Sequence, residues 1–111
     1  MHGPLIQTNV EKELGDLGRR LEPAVELFTE LAVDRAEAEA EFKYQYHRAL
    51  LAASGTVAER EARAHLFAAD AYRAWKIAEA QEKATQQLLI ALRTQIESAR
   101  TISANIRAQG G

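Results

Sequence analysis

The sequence predicts an all-α protein: an antiparallel helical hairpin with a long C-terminal helix and a short N-terminal helix, coiled-coil-like and oligomeric. Three observations lead there. Ser54-Gly55 followed by Thr56 and Glu59 is a helix stop joined directly to a helix start. Residues 57–109 contain neither glycine nor proline and are dominated by Ala, Leu, Arg, Glu and Gln, all good helix formers. Apolar residues recur at spacings of three and four on both sides of the turn, which places them on one helical face.

The elements follow in order. Residues 1–7 read as a flexible tail, because Gly3-Pro4 does not suit a helix interior. Thr8 and Glu11 have capping-box spacing and open a short helix over 8–20, which Gly15 and Gly18 weaken by about 1 kcal/mol each. Pro23 suits the first turn of a second helix over 23–53, where its missing amide costs nothing, with Glu22 and Glu26 at the positive end of the dipole. The apolar stripe of that helix is Leu27, Phe28, Leu31, Ala38, Phe42, Tyr46 and Leu50.

Gly55 then takes the left-handed conformation that ends a helix, and Thr56 with Glu59 caps the next. So short a turn makes its two helices antiparallel neighbours. The third helix spans 57–108, about 75 Å at 1.5 Å per residue. It outruns the second, and the acidic N-terminal helix is available to cover the overhang.

Length and composition set further bounds. A chain of 111 residues reads as a single domain, and a helical domain this small often completes its core by association. The absence of cysteine excludes a disulfide scaffold and a thiolate zinc site, and it suits a reducing cytoplasm. No apolar run approaches a membrane span and the N-terminus lacks signal-peptide regions, so the expectation is a cytoplasmic protein without membrane contact. The formal net charge of −2 hides an asymmetry. Residues 1–41 hold four Lys/Arg against ten Asp/Glu, for −6, whereas residues 42–111 hold ten against six, for +4. Such halves neutralise each other within or between chains, or leave a basic surface for nucleic acid.

Two groups of residues are candidates for function. Around the turn, Lys43, His47 and Arg48 precede it, Arg60 and Arg63 follow it, and Arg73 and Lys76 lie further along. Tyr44, Tyr46, Tyr72 and Trp75 are interleaved with them, and cations beside aromatic faces are what a groove for a single strand requires. At helical spacing the same aromatics also serve as core residues. Near the C-terminus, Leu89, Leu92, Ile96, Ala99, Ser103 and Ile106 have the spacing of a coiled-coil seam, flanked by Arg93, Arg100 and Arg107 one heptad apart. This seam is the expected oligomerisation surface. The arginines are either a solvated flank, with Glu97 in reach of Arg93 and Arg100, or a phosphate ladder.

Nothing supports catalysis. There is no phosphate loop, dinucleotide fingerprint or nucleophile elbow, and Ser54 belongs to the turn. His47, His65 and Glu61 lack the i, i+4 spacing of helical metal motifs. The expectation is a protein that is not an enzyme and has no cofactor or metal.

The succession FKYQYHRALLAASGTVAEREARAHL followed by AYRAWKIAEAQEKATQQLLIALRTQIESARTISANIRAQ resembles small helical bacteriophage proteins, and within them the UvsY family of recombination mediators. Three elements over residues 36–109 carry the likeness: a basic helix entering a Ser-Gly turn, a charged restart, and a long helix ending in spaced basic residues. The resemblance implies a phage protein in the host cytoplasm that binds single-stranded DNA as a ring-like homo-oligomer. Its further partners would be a recombinase and a single-strand-binding protein. Lys43 and Arg48 match the family's basic positions most nearly, with His47 beside them, whereas residues 49–53 are apolar where the family is more polar. The rival reading is a structural or interaction module that grips a phage or host protein through its C-terminal helix.

Overall fold

The computed structural model describes residues 4–110, which form three helices: α1 (Pro4–Ala52), α2 (Val57–Phe67) and α3 (Ala69–Gly110). No strand occurs among the described residues. The all-α fold is as the sequence predicts, with helix boundaries that differ in two places.

The helices predicted over 8–20 and 23–53 are one. Pro23 lies inside α1 rather than at its start, leaving the Arg19 carbonyl without its amide donor at a cost of about 3 kcal/mol. Pro23 and Arg19 are exposed, while Leu17 and Ala24 are buried on either side of the proline in sequence and hold the helix in its packing. Thr8, expected as an N-cap, is likewise interior to α1, which opens at Pro4. A proline fits that opening because the first helical amides have no partner to lose. Of the predicted tail, residues 1–3 lie outside the described residues and 4–7 are helical.

The helix predicted over 57–108 is two. Ala68 leaves helical geometry with φ −94° and ψ 11°, although amide bonds run through the junction from Ala68 to Ala64 (3.0 Å) and from Tyr72 to Ala68 (2.9 Å). It is a bend with no glycine or proline to announce it. Ala64 and Ala68 are both wholly buried, so packing at this point overrides a sequence whose propensity is helical throughout.

The described helices form two compact units. The first combines α1 as far as Phe28 with α3 from Thr85 onward. Its core is aliphatic: Leu17, Ala24, Leu89, Leu92, Ile96 and Ala99 are buried together, with Val10, Leu14, Leu21 and Phe28 against them. The N-terminal segment therefore lies against the C-terminal overhang it was expected to be free to cover.

The second unit, Thr29–Ala84, is the helical hairpin. Contacts recede from the turn on both arms together, which is the signature of antiparallel pairing. Arg60 reaches the Leu50 carbonyl (3.3 Å), Tyr46 meets His65, Phe42 meets Tyr72 and Trp75, and Arg35 meets Glu82 (2.7 Å). Rings from Phe42 and Tyr46 on α1 meet Tyr72 and Trp75 on α3 and His65 on α2, and Ala64, Ala68, Ala71 and Ala78 are buried along the same arm.

Candidate nucleic-acid interface

The turn is built as its residues predict. Gly55 has φ 111°, a conformation that L side chains rarely adopt. Thr56 is the N-cap of α2, its hydroxyl accepting from the Glu59 amide at 3.2 Å. Two of the expected DNA ligands belong to this device. Arg63 donates to the Ser54 carbonyl at 2.6 Å and Arg60 to the Leu50 carbonyl, which serves backbone oxygens that the end of α1 leaves without amide partners.

The remaining basic residues differ in what they already hold. Lys43 is tied to Glu39 at 2.9 Å, four residues back on the same helix. Lys76 pairs with Glu79 at 3.5 Å and lies 4.3 Å from the centre of the Trp75 ring, a cation–π contact that spends its charge inside the protein. Arg48, His47 and Arg73 are exposed, and none has an ion pair among the described residues. Of the seven basic candidates, Lys43, His47 and Arg48 are brought together. They line a shallow groove on α1 with Tyr44, Leu51 and Ala52.

The aromatics divide in the same way. Trp75 is stacked on Phe42 at 5.4 Å with its indole nitrogen buried, and Tyr46 is wedged between His47 and His65. Both are core residues. Tyr44 is 61% exposed and stands in the basic groove, and Tyr72 is 45% exposed. The sequence carried this signal: Tyr44 and Leu51 are out of phase with the inward stripe of Phe42, Tyr46 and Leu50.

Charge at the arm of the hairpin is organised by one network. The Glu82 carboxylate, through its hydrogen bond and its charge, raises the Arg35 guanidinium above its ordinary value, with desolvation opposing and Glu39 at 3.2 Å adding to the effect. The hydrogen bond from Lys43 lowers the Glu39 carboxyl below its ordinary value, with Arg35 reinforcing it and desolvation opposing. Among the described residues no three His, Asp or Glu side chains gather as a metal site. His65 instead lies against the Tyr46 ring at 4.9 Å.

The expected oligomerisation seam has a different occupant. Leu89, Leu92, Ile96 and Ala99 are buried in the aliphatic core with the chain's own α1, and Ile106 is half-buried. They are core residues before they are anything else, because the N-terminal segment brings Leu14, Leu17 and Leu21 to the same face. Arg93, Arg100 and Arg107 remain exposed, Arg100 pairing with Glu97 at 3.1 Å. No helix among the described residues is long and apolar enough to cross a membrane. Comparison with protein-family models, curated proteins and solved structures finds no match to the chain.

Proposed function

We propose that this protein is a non-enzymatic single-stranded-DNA-binding protein of the recombination-mediator kind, which presents a strand for a recombinase to load. The observation that carries the reading is the exposed groove in which Tyr44 stands beside Lys43, His47 and Arg48. Tyr44 supplies a face that any base can stack on, and the cations supply sequence-independent attraction to phosphates. Such contacts are weak singly, so function requires several copies of the chain on one strand, where the second and later contacts become intramolecular.

Fluorescence anisotropy with a labelled oligothymidylate tests it. Binding should be present at low salt and weaken steeply as salt rises, each phosphate neutralised adding about 0.7 to the logarithmic slope. Lys43→Glu with Arg48→Glu should abolish binding with helicity unchanged, while Tyr44→Ala should cost about 1–3 kcal/mol for the lost stacking. No binding at low salt would remove the physical basis of the proposal.

A further inference from the structure

The solvent face of α1 in the hairpin unit carries a second seam, distinct from the one that builds the core. Val33, Glu37, Ala40, Tyr44, His47 and Leu51 recur at spacings of four, three, four, three and four, the a/d pattern of a coiled coil. All six are exposed, Val33 to 51%, Tyr44 to 61% and Leu51 to 83%. A surface helix needs one apolar stripe, on its inner face. The inner one here is complete without these residues, since Phe42, Tyr46 and Leu50 face the hairpin interior.

We infer that this face pairs with the same face of a second copy of the chain, antiparallel, about a two-fold axis crossing α1 at the level of Phe42. The register is dictated by the pattern itself. Val33 and Leu51, Glu37 and His47, and Ala40 and Tyr44 are each equidistant from Phe42. Reversing the helix about that point sets every member of the series opposite another, a against d, as antiparallel coiled coils require. Such an interface is isologous, so each pairing occurs twice.

Charge selects a second copy over other occupants. On this side of α1 the acids come first, Glu30, Asp34, Glu37 and Glu41, at spacings of four, three and four. Like charges at these separations repel along a helix, and Asp34 and Glu37 have no ion pair among the described residues. His47 and the cation Arg48 follow toward the turn. Antiparallel superposition lays Asp34 and Glu37 over Arg48 and His47 of the other copy and removes that repulsion at both ends of the seam. Near the axis Glu41 and Lys43 each meet their own copy, the two unfavourable pairs, and Lys43 is already held by Glu39 of its own helix. The seam runs about 27 Å, five helical turns, and stops where Glu30 replaces an apolar residue at its N-terminal end and α1 ends at the other.

The dimer goes beyond the DNA reading and competes with it, because both use Tyr44, His47 and Arg48. A strand entering the groove must separate the pair, so dimerisation sets the protein concentration and salt at which the groove opens.

Light scattering and sedimentation across a concentration series test the pairing, with circular dichroism reporting the fold. The mass should rise from the 12.3 kDa of one chain toward twice that value. Leu51→Gln, on a side chain that the fold leaves in solvent, and Asp34→Arg should each weaken dimerisation by about tenfold or more. Asp34→Arg with Arg48→Asp should recover most of the loss, because the exchange restores both pairs in this register only, and Glu41→Gln should tighten the dimer. A wild-type chain that stays single at every concentration overturns the inference. So does a dimer indifferent to Leu51→Gln, or a double variant no better than Asp34→Arg alone. Anisotropy of Val33→Gln, a seam variant whose side chain lies outside the groove, separates the two readings with the oligothymidylate: binding that persists in this variant as a monomer leaves the DNA role standing by itself, and absent binding by the wild-type chain beside an intact dimer removes that role alone.

Discussion

At the scale of single residues, the molecule separates glycines that are needed from glycines that are tolerated. Gly55 sits at φ 111°, and an added Cβ there would meet the Glu59 carboxylate. The carboxylate end can swing aside, but the backbone strain stays, at about 1–3 kcal/mol. Gly18 lies within α1 with nothing within 4 Å of an added Cβ, so alanine there regains up to about 1 kcal/mol of helix propensity. The same substitution should thus have opposite signs at the two positions. In thermal denaturation, Gly55→Ala should lower Tm by several degrees and Gly18→Ala should raise it, at about 4–8 °C per kcal/mol for a chain near this size. Equal shifts would mean that the turn is not the constraint it looks. This part of the structure was legible in the sequence, since a Ser-Gly stop with a Thr-x-x-Glu restart has one economical conformation. The roles of Arg60 and Arg63 were not: their charge is visible in a sequence, whereas the carbonyls of Leu50 and Ser54 that engage them are visible only once the turn is folded.

At the scale of the element, local punctuation is outvoted by continuous burial. A proline after two glycines reads as a boundary, yet α1 passes through Pro23 because Leu17, Leu21, Ala24 and Phe28 keep their contacts on either side of it. Conversely, the uninterrupted run after Val57 bends at Ala68, where packing and not composition decides. Apolar spacing records which face is buried, and that was readable; it does not record whether a helix breaks between two buried residues. The energetic consequence is specific. Pro23→Ala restores the amide to the Arg19 carbonyl and removes the ring clash, worth about 3 kcal/mol, against about 1 kcal/mol lost because alanine frees the unfolded chain. The net gain of about 2 kcal/mol should appear as a higher urea midpoint with an unchanged slope. A midpoint that does not rise would mean that α1 bends at Pro23 in a way alanine cannot use.

At the scale of the whole molecule, the two units differ in what fills them, and that difference governs how the chain comes apart. One is an aliphatic core of Leu17, Leu89, Leu92 and Ile96; the other combines aromatic rings, alanines and the Arg35–Glu82 pair. The seam of Leu89, Leu92, Ile96 and Ala99 was legible as a seam, but periodicity says only that a face is covered, and a second subunit and the chain's own N-terminus cover it equally well on paper. In the structure the cover is α1, so damage to the seam is damage to the fold. Leu92 is 3% exposed, and Leu92→Ala should cost about 2–5 kcal/mol through lost burial and the cavity left behind. That loss belongs to the unit containing it. Amide hydrogen exchange should therefore accelerate in α1 before Phe28 and in α3 beyond Thr85, while residues 29–84 keep most of their protection, since proteins open in cooperative units rather than uniformly. Uniform acceleration along the chain would show instead that α1 and α3 carry the loss from one unit to the other, and the groove at Tyr44 would then share the stability of the aliphatic core.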